Sequence, residues 1–380
     1  MFDVFLRFRS CGGNADSLDR GLGAPARYSR TRLSAPLGFG RRHAGSLTEK
    51  ILAVSISLVS LVLFASPFSI DAAQAGVELL DVRKIWDRAP HNAFTDLVRF
   101  KGRWFCVFRE GRAHVSPDGA LRVITSKNGK DWTSTALLTR ADGDLRDAKI
   151  TVTPDHRLML SGAAALRQPA EFKHQSFAWF STDGRTWTEP VSIGDPNLWL
   201  WRVTWHKETA YGVAYDTAGE RFIRLYTSTD GKRFRALVPE LFNEGQPNET
   251  SILFQPDDTA LCLLRRDGSP GSGKLGVARP PYTNWRWRDL GAKIGGPHMI
   301  RLADGRIVAA VRLYDGGVRT ALAWLDADAG TLTEFLRLPS GGDTSYAGLA
   351  CYRNVLWVSY YSSHEGKTCI YLAKVKINSL

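Results

Sequence analysis

"STDGRTW", residues 181–187, decides the fold, because the same pattern stands twice more, as "SKNGKDW" at 126–132 and "STDGKRF" at 228–234. In each copy a Ser and an Asp or Asn precede a Gly, and a Trp or Phe closes the loop. The short polar side chains bond to turn backbone, Gly supplies a positive φ, and the aromatic packs between sheets. Degenerate versions follow at "ARPPYTNW" from Ala278, "WLDADAGTLTEF" from Trp324 and the terminal strand "IYLAKVKI" near Tyr371. Successive offsets are about 46 to 55 residues, the period of propeller blades.

Working outward, an apolar run precedes each loop: "GRWFCVFR", "HRLMLSG", "TAYGVAY", "TALCLLR", "GRIVAAVR" and "NVLWVSYY". Each run follows a turn and leads to another strand, with almost no helical periodicity. Six such units predict an all-β fold, a six-bladed β-propeller of four-stranded antiparallel blades around a central channel. The leading strand "VELLDVRKIW" (77–86) is expected to complete the last blade and close the ring.

The chain has 380 residues, 44% hydrophobic and 23% charged, an ordinary globular composition. All-β architectures hold this much chain in one domain, here residues 76–380. Residues 1–75 read as a leader: an Arg-, Gly- and Ser-rich stretch, then "ILAVSISLVSLVLFASPFSI" (51–70) after Lys50, then "AQA" (73–75). A basic flank, an apolar run and an A-x-A site make a secretory signal cleaved near residue 75. The protein is therefore expected to be secreted or periplasmic, with membrane contact only if the run stays as an uncleaved anchor. The leader holds nine Lys/Arg and five Asp/Glu, which leaves a net charge of +8 on the remainder. No Lys/Arg run concentrates that excess, so no nucleic-acid partner is expected, while an anionic substrate suits it. Cys106, Cys262, Cys351 and Cys369 match no zinc spacing, and no cofactor or metal is expected. The 12 Trp, 11 Tyr and 18 Phe suit a β core and equally surfaces that stack on sugar rings.

The repeated loop resembles the Asp-box of the sialidase (neuraminidase) superfamily, usually Ser-x-Asp-x-Gly-x-x-Trp; these copies are one residue shorter. The loop marks the fold and does no chemistry. Chemistry in a propeller belongs at the axis, where matching inner-strand positions of different blades converge. Aligned on the end of each apolar run, taken to "WVSY" in the sixth, the blades give Arg109, Gly162, Tyr215, Arg265, Arg312 and Tyr360. Three guanidinium groups gathered at one axis would repel one another unless an anion sat among them, which they would grip through paired hydrogen bonds. The alternative is a separate local ion pair for each, such as Arg109 with Glu110.

About fourteen residues earlier, a second ring gives Asp147 in "RDAK", Glu249 in "NETS", His298 in "GPHM" and Tyr346 in "DTSYAG". A Tyr beside a Glu in an Arg-lined pocket has a specific meaning. An anionic sugar repels a carboxylate nucleophile, so a phenol activated by Glu attacks the anomeric carbon instead. "NETSILFQPDDTALCLLRR", "GGPHMIRLADGRIVAAVR" and "SYAGLACYRNVLWVSYY" resemble sialidase segments, within a similarity spanning roughly residues 80–377. The resemblance implies Tyr346 as nucleophile, Glu249 as its proton partner, and Arg265 and Arg312 as carboxylate clamps. Sialidases carry a first clamp in a Phe-Arg-Ile-Pro motif; "HNAFTDLVRF" has none, so Arg109 is expected to substitute. The general acid is expected in the loop before the first Asp-box, as Asp118 in "VSPDGAL" or His114. Asp147 and His298 are expected to contact substrate. These readings describe an exo-acting glycosidase for a terminal sialic acid or related acidic sugar, acting with retention. A glycan-binding propeller without catalysis, with "WLWRVTW" (199–205) as a stacking platform, keeps the same scaffold. So does a hydrolase or lyase that uses the "DLRDAK" acids and His298.

Overall fold

The computed structural model describes residues 76–378. The leader and its apolar run at 51–70 lie outside them. Every regular element among the described residues is a β-strand. The chain opens with β1 (Val77–Trp86), then builds blade one from β2 (His91–Phe100), β3 (Arg103–Gly111), β4 (Ala120–Ser126) and β5 (Thr133–Leu138). Blade two is β6 (Gly143–Val152), β7 (Leu158–Leu166), β8 (His174–Ser181) and β9 (Val191–Ile193). Blade three is β10 (Leu198–His206), β11 (Thr209–Asp216), β12 (Ile223–Ser228) and β13 (Arg235–Phe242). Blade four is β14 (Pro247–Phe254), β15 (Ala260–Arg266), β16 (Lys274–Ala278) and β17 (Arg286–Asp289). Blade five is β18 (Ile294–Arg301), β19 (Ile307–Leu313), β20 (Arg319–Asp326) and β21 (Thr331–Arg337). Blade six is β22 (Thr344–Tyr352), β23 (Val355–Ser362) and β24 (Cys369–Ile377), with β1 as its fourth strand, Val77 opposite Ile377.

Each sheet is an antiparallel meander, and the six first strands touch in a closed ring around the axis. The second strands are buried along nearly their whole length, which is why they read as unbroken apolar runs, whereas the outermost strands alternate toward solvent. Core forms between neighbouring sheets: Phe105, Val107 and Leu121 of blade one, for instance, pack on Leu145, Leu160 and Trp179 of blade two. Cys106, Cys262 and Cys369 are buried free thiols and Cys351 an exposed one.

The three repeated loops join the third and fourth strands of blades one to three, as the sequence predicts. Ser126, Ser181 and Ser228 each accept, through Oγ, the amide of the loop glycine at 2.8–2.9 Å. Asn128, Asp183 and Asp230 each accept two further amides. Gly129 and Gly184 sit at φ +70° and +71°, and each abuts a ring of the preceding blade, Trp357 and Phe105, that leaves no room for a Cβ. The loops are rivets between blades.

A second repeat has no counterpart in the sequence pattern. All six first strands bulge at the same level, between Ala93 and Asp96, Arg146 and Lys149, Leu200 and Arg202, Pro247 and Thr250, Gly295 and His298, and Ser345 and Gly348. A bulge inserts an extra residue and re-aims its side chain. Phe94, Asp147 and Tyr346 take φ of 62°, 56° and 51° there, a left-handed conformation costly for residues with a Cβ.

Candidate functional site

The bulges build the site. Phe94, Asp147, Glu249 and Tyr346 line one pocket of about 350 Å³, together with Arg146, Arg265, Asp267, Asn248, His114, His174, Trp199, Tyr215 and Thr217. At its floor the Tyr346 hydroxyl donates to Glu249 Oε1 at 2.7 Å. Arg265 Nη1 donates to the same carboxylate oxygen at 2.7 Å and to the phenol oxygen at 2.8 Å. The Gly296 amide, on the bulge of blade five, donates to Glu249 Oε2 at 2.8 Å. Blades four, five and six thus meet at one carboxylate.

Burial opposes the charge on Glu249, but the Arg265 guanidinium and the bonds from Arg265, Tyr346 and Gly296 outweigh it and hold the carboxyl below its ordinary range. Burial and the Glu249 charge push the Tyr346 phenol well above its ordinary value, while Arg265 and Arg312 pull it back. The resting pair is therefore a neutral phenol facing a carboxylate. Asp147 goes the other way: burial raises it, Glu249 adds to the rise, and Lys149, Arg146 and Arg109 offset it in part. Two acids in one pocket with pKa values displaced in opposite directions are the signature of a proton acceptor and a proton donor.

The arginines do not converge. Arg265 lies in the pocket, its fork shared among Glu249, Tyr346 and Asp267. Arg312 sits behind the Tyr346 ring, 5.0 Å from its centroid, bonded to the Thr344 carbonyl, Tyr361 at 2.9 Å and Asp343 at 3.3 Å. Arg109 is fully buried, and it corrects the expectation of a substitute clamp. Its donors are spent on Asp144 at 2.9 Å, the Ala113 carbonyl at 2.8 Å and Ser116 at 3.0 Å, so it anchors the 112–119 loop instead. Its acid partner is Asp144 and not Glu110, which bonds Trp86 and Arg122.

Two further expectations change. Asp118 lies on an exposed turn beside Arg112, outside the pocket, where it accepts the Arg112 amide at 3.3 Å. A Pro-Asp-Gly turn places its acid toward water, and the loop before the first Asp-box-like turn offers the pocket only His114. His298 lies one level below the bulges, in a buried axial cluster. There Arg202 pairs with Asp96 at 2.8 Å, and His298 Nδ1 lies 4.0 Å from Asp96. Burial and the neighbouring Arg202 push His298 down to about 3, and it lies outside the residues that line the pocket.

Sequence reading missed Arg146, whose Nε is buried without a hydrogen-bond partner among the described residues. It also missed Asp343, which takes His91 Nε2 at 3.2 Å and His114 Nδ1 at 2.7 Å on Oδ2. Each had a signal: Arg146 adjoins Asp147, and Asp343 opens the segment that carries Tyr346. A larger groove of about 700 Å³ between blades two and three is lined by Trp205 and by charged groups that include the local pairs Asp155–Arg157 and Asp230–Arg233.

Six four-stranded blades, a strand borrowed from the front of the chain and an axial pocket define the architecture. The fold is sialidase-like. A Trypanosoma rangeli sialidase superposes with a TM-score of 0.62 at 11% identity, over 75% of this chain and 55% of its own. Another structure of that enzyme holds 2,3-difluorosialic acid as a covalent intermediate. An α-L-arabinofuranosidase of Fusarium graminearum, solved with an iminosugar inhibitor, gives 0.61 at 15% identity over 78% of this chain and 98% of its own. A Dyadobacter fermentans protein of unknown function gives 0.71 at 20% identity, over 80% of this chain and all of its own. No family model matches the sequence, and no curated protein matches it. At such identities the likeness is one of fold.

Proposed function

We propose that the protein is a retaining, exo-acting glycoside hydrolase that uses Tyr346 as nucleophile. The observation that carries this reading is the 2.7 Å bond from the Tyr346 hydroxyl to Glu249, braced by Arg265, beneath a pocket that also holds Asp147. The Tyr346 oxygen attacks the anomeric carbon while its proton passes to Glu249 Oε1. Asp147 gives its proton to the departing glycosidic oxygen. Water then attacks the glycosyl–tyrosine bond, losing a proton to Asp147, and the phenolate recovers its proton from Glu249. Arg265 and Arg312 stabilise the negative charge that develops on the phenol oxygen. A cavity of about 350 Å³, at the small end of ligand pockets, suits one terminal sugar.

A phenol in place of a carboxylate nucleophile favours an acidic sugar such as sialic acid, with Arg146 and Arg265 as the cations within reach of its carboxylate. The leader read from the sequence supports export to such a substrate. A second reading, a neutral sugar, is favoured by the arginines already engaged with Asp343, Asp144 and Asp267. Fluorogenic glycosides separate these: release from the sialoside supports the first, and release from the arabinofuranoside alone supports the second. Release from neither, with sugar still bound, leaves a lectin-like propeller and ends the enzyme proposal.

A further inference from the structure

Beside the pocket, at the seam where the ring closes, three side chains turn their ligand atoms to one point. His91 begins β2, His114 lies on the loop between β3 and β4, and Asp343 immediately precedes β22. One ligand atom from each of His91, His114 and Asp343 lies within 4.8 Å of the others, and Asp343 Oδ2 stands 3.2 Å from His91 Nε2 and 2.7 Å from His114 Nδ1. Around a divalent ion bound at about 2.1 Å, ligand atoms stand roughly 3 to 4 Å apart, so small side-chain adjustments suffice. We propose that His91, His114 and Asp343 form a binding site for a late first-row divalent cation, of which Zn²⁺ is the redox-inactive representative.

The donor chemistry supports the assignment. Two imidazoles and one carboxylate form a borderline-soft set suited to such ions and poor for Mg²⁺ or Ca²⁺, which want oxygen. The carboxylate is divided: Oδ1 is held by Tyr361 at 2.7 Å and Arg312 at 3.3 Å, while Oδ2 faces the two imidazoles. Outer partners that fix a ligating carboxylate are characteristic of metal centres, and here they keep the Arg312 charge on the far oxygen. Three protein ligands leave a fourth position for water or for an oxygen of whatever occupies the pocket, whose wall His114 forms. Because the ligands come from blades one and six, the ion would also clasp the ring at its closure.

The test is direct metal binding by the intact protein after chelator treatment, read by Co²⁺ absorption, Zn²⁺ competition and the melting temperature. One equivalent of Co²⁺ with visible absorption bands, displaced by Zn²⁺, and a melting temperature that rises with Zn²⁺ are expected. His114→Ala, on a half-exposed loop, should weaken binding by about 100-fold or more and abolish the thermal shift. Asp118→Asn, on the same loop, should bind as the parent does. Absence of stoichiometric binding by the parent, unchanged binding in His114→Ala, or equal loss in Asp118→Asn would each overturn the assignment. None of these readouts depends on glycoside cleavage, so the site and the proposed activity can fail separately.

Discussion

The outer turns and the inner-strand bulges are both repeated, yet only the turns repeat in sequence. At the turns, Ser Oγ and an Asp or Asn oxygen must reach particular amides, and the glycine must hold φ near +70° against a neighbouring ring. Geometry dictates residue type, so the copies look alike. At the bulges, geometry dictates only where a side chain points. Phe94, Asp147, Asn248 and Tyr346 share that position, with Glu249 one residue further on, and their side chains differ in kind. A repeated backbone device with free choice of side chain lets a symmetric ring hold an asymmetric site.

Mutations can break this contrast. The largest effect is expected for Tyr346→Phe, which should lower kcat by more than about 10³-fold on any cleaved glycoside while keeping the fold, because the ring and its packing survive. A parent-like rate in a steady-state assay would remove the nucleophile.

Asp147→Asn should cost roughly 10²- to 10⁴-fold on sugars with poor leaving groups and much less on nitrophenyl glycosides, which depart without a proton. It should also erase the alkaline limb of the pH–rate profile, set by the raised Asp147, and leave the acid limb that reports ionisation of Glu249. The stability effect has a definite sign. A carboxyl whose folded pKa is raised binds more protons in the folded state, so stability falls as pH climbs from the ordinary carboxylate value toward the folded one. Asp147→Asn should therefore melt higher than the parent near neutrality and lose that advantage in acid. Glu249 behaves oppositely: its contribution is present above the ordinary glutamate value and is lost as pH falls through its depressed one.

The turns should respond through stability alone. Gly184→Ala forces a Cβ into the Phe105 ring at positive φ and should cost about 1–3 kcal/mol by denaturant melts, with kcat unchanged. Ser181→Ala, which orphans the Gly184 amide, should cost about 1 kcal/mol. Smallest of all, Asp118→Asn should change stability by less than about 0.5 kcal/mol and leave activity near the parent's, since its carboxylate faces water.

How much was legible follows the same division. The ring, its strand-borrowing closure and the loop positions were readable because turn chemistry and apolar runs are local. Tyr346, Glu249 and Arg265 could be brought into register because the blade period carries each to the axis. Arg109 matches Arg265 when the apolar runs are aligned, but in the sheets its counterpart is Arg266, opposite Pro247 as Arg109 is opposite Ala93, and that one-residue offset separates an arginine reaching into the pocket from one consumed by Asp144. Asp118 was misplaced because a turn acid looks the same whether it faces a cleft or water. Asp343 was hidden because its His partners lie at the opposite end of the propeller sequence. The bulges left no trace, since a backbone insertion needs no particular residue.

Closure through β1 also bears on how the chain is made. Val77 leaves the ribosome near the start of the fold, and its partner Ile377 emerges only at the end. Until then both the first strand and the last blade present unpaired edges, which invite pairing with other chains. A nascent protein so arranged must be kept from premature association until synthesis is complete, and losing its final strand would cost it the first one as well.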